Sequence, residues 1–148
     1  MSLLPDVNVL VYAVDAKSVH HAPCANWLQA ALNGIIAVEF TWQVMAGFVR
    51  ITTNPKAMRL PLSPDEAFDY LEEWLAQPPS RILQPATFHM VTFRRFVLAV
   101  GLGGNLISDA QLAALAFDEG AELVSCDTDF ARFPGLRWFN PLTGKRVN

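Results

Sequence analysis

Short apolar runs alternate with longer amphipathic stretches along the chain. SLLP is an apolar run that stops at Asp6, and VNVLVYAVDA beyond it takes a helical spacing. Pro5 has no N–H, which argues against a long central strand running through it. SVHHAPCANWLQAALNG reads as a helix closed by Gly34. IIAVEF is an apolar strand, and TWQVMAGFVRITTNP a helix that starts near Thr41 and stops before Pro55. In LSPDEAFDYLEEWLAQPP, Ser63 sits as N-cap, Pro64 at the first helical position and Glu66 three residues past the cap. RILQP is a short strand. ATFHMVTFRRFVLAVGLGG is a helix followed by a glycine turn, NLISDAQLAALAFDEGA a helix, ELVSCD a strand, and FARFPGLRWFNP ends in a last short strand. Strands alternating with helices predict βαβ units, hence an α/β fold with a central, mainly parallel sheet and helices on both faces. No repeat, low-complexity tract or linker interrupts the pattern, so a single domain is expected over residues 1–148.

Composition sharpens this in three ways. The chain is 52% hydrophobic with mean hydropathy +0.25, yet charges interrupt every apolar run short of a bilayer's thickness. The N-terminus has no basic stretch before an apolar one, so it is not read as a signal peptide. The surplus of apolar residues is expected to cover an oligomer or partner interface, with no role for a membrane. Cys24 and Cys126 lie far apart without CxxC spacing and read as free thiols in a reducing, cytoplasmic setting. The formal charge of −3 excludes an overall basic nucleic-acid footprint. A polyanion would need a local basic patch, or metal ions that mask the acids.

The candidate chemistry lies among the 14 acids. Asp65, Glu66, Asp69, Glu72 and Glu73 share one helix and suit its solvated face. Asp118, Glu119 and Glu122 surround a helix end and turn. Asp6, Asp15, Glu39, Asp109, Asp127 and Asp129 remain. Asp15 suits a helix terminus, and Asp129 a turn or cap before FARF. In open parallel sheets ligands bind outside the carboxyl ends of the strands. Asp6 follows the first strand and Asp127 follows ELVSC. Asp109, read as first-turn, heads a stripe with Leu112, Ala113 and Ala116 and should point toward the sheet's end. Each placement has a bland counterpart as cap or turn chemistry; the agreement of three is what points to a site. Convergent carboxylates repel and need a cation. Oxygen ligands alone favour Mg²⁺ or Mn²⁺ over Zn²⁺, and such sites serve phosphate chemistry.

The segments LLPDVNVLVYAVD, GFVRITTNP and NLISDAQLAALAFDEGAELVSCDTDFARFPGLRW, in that order, resemble PIN-domain proteins, above all the VapC-type toxin ribonucleases of bacterial toxin–antitoxin pairs. The resemblance covers nearly the whole chain. It implies an α/β/α sandwich, a Mg²⁺- or Mn²⁺-dependent endoribonuclease, and a homodimer held by a cognate antitoxin. It places Asp6, Asp109 and Asp127 at the family's first, third and fourth acids, Asn8 two after the first acid, and Ser125 as a supporting hydroxyl. One departure stands out. The family's second acid, a Glu before F-hydrophobic-R, is replaced by Gly47. One metal held by Asp6, Asp109 and Asp127 is the expectation; Glu39, after IIAV, and Asp129 are secondary candidates for a fourth acid should two metals be needed, Glu39 otherwise reading as a surface residue before the helix.

Arg50, Lys56, Arg59, Arg94, Arg95, Arg132 and Arg137 are candidates for phosphate contact. His20, His21 and His89 lack metal-ligand spacing and are assigned no chemistry. Trp27, Trp42 and Trp74 suit a core or interface, and an antitoxin helix is expected on an apolar surface near Trp42, Phe48 and Trp74. Two other functions fit parts of the pattern. One is an aspartyl-phosphate phosphotransferase built on Asp6. The other is a PIN-fold binding module that lost activity with its second acid.

Overall fold

A computed structural model describes residues 1–101 and 104–148, and the side chains of all of these except Gly104 and Asn105. Six strands form one sheet in the order β3-β2-β1-β4-β5-β6. They are β1 (Leu3–Pro5), β2 (Val38–Phe40), β3 (Ser80–Ile82), β4 (Glu122–Val124), β5 (Trp138–Asn140) and β6 (Lys145–Val147). The helices are α1 (Val7–Val14), α2 (His21–Leu32), α3 (Trp42–Thr52), α4 (Pro64–Leu75), α5 (His89–Val100) and α6 (Gly104–Glu119), with a 3₁₀ turn over Thr128–Arg132. The pairs among β1 to β5 are parallel, as helical crossovers demand. The β6 strand pairs antiparallel with β5, an edge hairpin that sequence periodicity did not reveal.

The chain walks from β1 outward to β2 and β3, then returns to lay β4 on the other side of β1. That reversal is a topological switch point, and the carboxyl ends of β1 and β4 flank its crevice. Pro5 ends β1 in register with Val124, so the central strand is short, as a residue without N–H requires.

Two apolar clusters hold the helices against the sheet. The larger contains Phe40, Phe48, Phe96 and Phe130, all essentially without exposure. Each such side chain contributes about 1.5–3 kcal/mol by leaving water. Local signals set the helix starts near the site. Thr41 caps α3 by accepting from the Val44 amide at 3.2 Å, and Ser63 and Glu66 close a reciprocal capping box on α4.

Some expectations shift. IIAVEF is a strand only over its last three residues, and Ile35 is fully exposed. Asp109 lies in the second turn of α6, because the helix begins at Gly104, ahead of NLIS. The stripe below it, Leu112, Ala113 and Ala116, is buried. The glycine turn expected after α5 falls partly on Leu102 and Gly103, which lie outside the described residues. Phe48 and Trp74 meet edge to face in the core between α3 and α4, leaving Trp42, 59% exposed, for the surface.

Candidate metal centre

Asp6 leaves β1 in an extended conformation, and its amide donates to the Val124 carbonyl at 2.8 Å. The residue is thereby tied to β4 while it caps α1. Its Oδ1 accepts from the Val7 amide at 2.7 Å. Its Oδ2 accepts from the Ser125 hydroxyl at 2.7 Å and from the Asn8 side-chain amide at 3.3 Å. Ser125 is completely buried, and its Oγ also accepts from Asn8 Nδ2 at 3.2 Å and from the Asp127 amide at 3.1 Å. Asn8 Oδ1 accepts from the Cys126 amide at 3.2 Å. One hydroxyl and one amide thus lock the end of β1 to the loop after β4.

Asp127 caps the 3₁₀ turn. Its Oδ1 accepts from the Asp129 amide at 2.9 Å, which folds Asp129 back toward the same place. Carboxylate oxygens of Asp109, Asp127 and Asp129 lie within 4.8 Å of one another. Asp6, Asp109 and Asp127 line one cleft of about 450 Å³ together with Asn8 and the Gln43, Gly47 and Arg50 face of α3. Three separate stretches of chain therefore deliver four acids to the switch point.

The electrostatics follow from crowding. Burial, then Asp127, Asp6 and Asp129, push the Asp109 carboxyl from 3.8 up to about 6. Burial raises Asp6 as well, against the opposing hydrogen bonds from Ser125 and Val7. None of the four has an ion-pair partner within 4.0 Å among the described residues. The donor set is all oxygen and strongly self-repelling, which fits a hard divalent cation such as Mg²⁺ or Mn²⁺.

Other candidates fall elsewhere. Glu39 sits in mid-strand, buried, with Oε1 bound by Arg81 Nη2 at 3.0 Å and Glu119 beside it. It does not line the cleft, because parallel register sets it opposite Arg81 of β3 and short of the strand's end. Glu122 is a buried strand residue clasped by Arg146 at 2.6 and 3.2 Å, and no part of a turn. Asp118 accepts from Thr92 and faces His89 at 3.4 Å. Asp15 caps the end of α1 and accepts from the Lys17 amide. Arg50 is the one candidate cation lining the cleft among the described residues. Gln43 was not foreseen. Its signal was available in the i, i+4, i+7 spacing of Gln43, Gly47 and Arg50 along α3.

The PIN domain family model matches residues 3–136. Ribonuclease VapC37 of Mycobacterium tuberculosis is 42% identical over 136 residues, covering 92% of this chain and 94% of that protein. Ribonuclease VapC33 of the same organism is 36% identical over 140 residues, covering 95% and 98%. Among solved structures, VapBC2 of Rickettsia felis bound to a promoter DNA fragment superposes with a TM-score of 0.69 at 19% identity, covering 95% and 98%. M. tuberculosis VapC20, a sarcin–ricin loop cleaving toxin, gives 0.65 at 12% identity, covering 91% and 96%. The last two speak to the fold. With the family model spanning most of the chain and relatives so close along its length, this protein belongs to the PIN-domain family, in its VapC ribonuclease branch.

Proposed function

We propose that this chain is the toxin of a toxin–antitoxin pair and a Mg²⁺- or Mn²⁺-dependent endoribonuclease, with Asp6, Asp109 and Asp127 as its catalytic acids and Asp129 beside them. The observation that carries the reading is the meeting of four carboxylates at the switch point without a protein cation paired to them among the described residues. A bound divalent cation there supplies an activated water and polarises the phosphodiester. The chain's own groups do the rest. Ser125 and Asn8 hold Asp6 and the Asp127 loop in one fixed relation. Arg50, exposed along the cleft, offers a forked donor to a backbone phosphate.

Asp6 is poorly suited to the rival aspartyl-phosphate chemistry. It is 8% exposed, and both of its oxygens already accept hydrogen bonds. For the partners, the structural neighbours are themselves VapBC complexes. An antitoxin helix fits the apolar groove between α3 and α4, lined by Trp42, Met45, Val49, Phe68, Leu71 and Leu75. A second copy fits the exposed apolar residues of α5, Met90, Val91 and Leu98, giving a homodimer. Two unbridged thiols and an RNA substrate suit the cytoplasm. Purified protein is expected to cleave RNA in Mg²⁺ or Mn²⁺ and to stop on chelation. Asp6→Asn should be inactive. Cleavage that persists in chelator or in that variant would overturn the reading.

A further inference from the structure

Gln43 is the second residue of α3, and with Gly47 and Arg50 it forms the stripe of that helix that lines the acidic cleft. Its Nε2 donates to the Ser108 carbonyl at 3.3 Å, one residue before Asp109. A backbone carbonyl only accepts, so this bond fixes which end of the amide is nitrogen. The other end, Oε1, is shielded from solvent and has no hydrogen-bond donor among the described residues. Buried carbonyl oxygens are rarely left so, and an orphan on a residue that lines the carboxylate cleft points to a ligand.

Gly47 has no side chain to supply that oxygen, and Val7 would have to give by a few tenths of an ångström to admit one. A side chain rooted there would start 3.3 Å from Val7 Cγ2, where α1 presses on α3. Helical side chains lean toward the amino end, so an acid at 47 would have reached over the turn that Gln43 occupies. Four carboxylates already crowd the site. A neutral amide oxygen adds a hard donor without a fifth negative charge.

We propose that the side-chain carbonyl of Gln43 is an oxygen ligand of the divalent cation held by the acid cluster, and stands in for the second acid that Gly47 replaces. The inference rests on the metal-dependent reading above. Gln43 thereby links α3 to the metal through oxygen and to α6 through nitrogen.

The test is Mn²⁺ binding to the full chain without RNA, by titration calorimetry, for wild type, Asp109→Asn, Gln43→Ala and Gln43→Glu, each checked for folding by thermal melting. Gln43→Ala should bind about tenfold more weakly, the scale of lost support at a metal site. Gln43→Glu should bind at least as tightly as wild type, because it keeps the oxygen. If Gln43 only props the Ser108 carbonyl, Gln43→Glu loses its donor and binds no better than Gln43→Ala, which overturns the inference. Unchanged affinity in Gln43→Ala overturns it too. Should Gln43→Ala fail to fold, Gln43→Glu against wild type decides, and weaker binding by Gln43→Glu counts against it. A wild type that binds no Mn²⁺, or an Asp109→Asn that binds like wild type, brings down the metal reading itself and this inference with it. Loss confined to the Gln43 arm leaves the metal reading standing.

Discussion

Glu39 and Glu122 are buried acids on the sheet and Asp6 a buried acid just past the end of β1, but each of the two glutamates is clasped by an arginine whose outer side is wet. Arg81 answers Glu39 and Arg146 answers Glu122, so the strands carry their charge neutralised by protein. At the carboxyl edge the same sheet gathers Asp6, Asp109, Asp127 and Asp129, and no arginine or lysine pairs with them among the described residues. Burial of an acid therefore says little by itself. What separates a structural acid from one awaiting a ligand is whether the protein has supplied its countercharge.

That contrast can be broken most forcefully at Ser125, the hydroxyl behind the unpaired group. Ser125→Ala leaves Asp6 without one of its two 2.7 Å donors, frees the Asp127 amide and should lower RNA cleavage by about 10–100-fold. Activity within twofold of wild type would detach Asp6 from the chemistry.

On the paired side, Arg146→Ala strands Glu122 and should destabilise the fold by about 2 kcal/mol, as for a buried acceptor left unmade. Cleavage per folded molecule should not change. Denaturant unfolding alongside the cleavage assay separates the two effects.

The pH dependence carries the opposite sign from an ordinary paired acid. Asp109 holds its proton up to about 6 in the fold against 3.8 normally, so the folded state binds more protons between those values. Stability of the metal-free protein should fall as pH rises through that window and level off above it. Asp109→Asn should make that slope shallower in thermal melts, leaving the part that the raised Asp6 carries; an unaltered slope would assign it to other groups. Smallest of all is Glu39→Gln, expected to leave cleavage unchanged because Glu39 answers Arg81 away from the cleft. A large loss that extra Mg²⁺ restores would return Glu39 to the site.

Much of this was legible in the chain because the relevant signals are local. Asp6 directly after an apolar run, and Ser125 to Asp127 directly after another, fix positions at strand ends whatever the tertiary detail. The stripe of Leu112, Ala113 and Ala116 set the direction of Asp109. The illegible parts depend on pairing between distant elements. Glu39 read as a strand-end acid because only the register with β3 shows it opposite Arg81. Glu122 read as turn because its partner lies on β6, an edge hairpin with weak periodicity. Asp129 read as a cap, and the Asp127 side chain is what turns it back toward Asp109. Gly47 looked like an empty position. Only the packing of Val7 against α3 shows how tight it is, with a Cβ there starting 3.3 Å from Val7 Cγ2.

As a cation site, the unpaired acids must bind metal when the protein holds no RNA. Titration of the chelator-treated protein with Mn²⁺ above pH 7, where Asp109 is ionised, tests it most directly. A cation site there gives saturable binding in wild type, and affinity at least tenfold weaker in Asp109→Asn, in line with loss of a ligand. Equal affinity in the two proteins, or no binding in wild type, would contradict it.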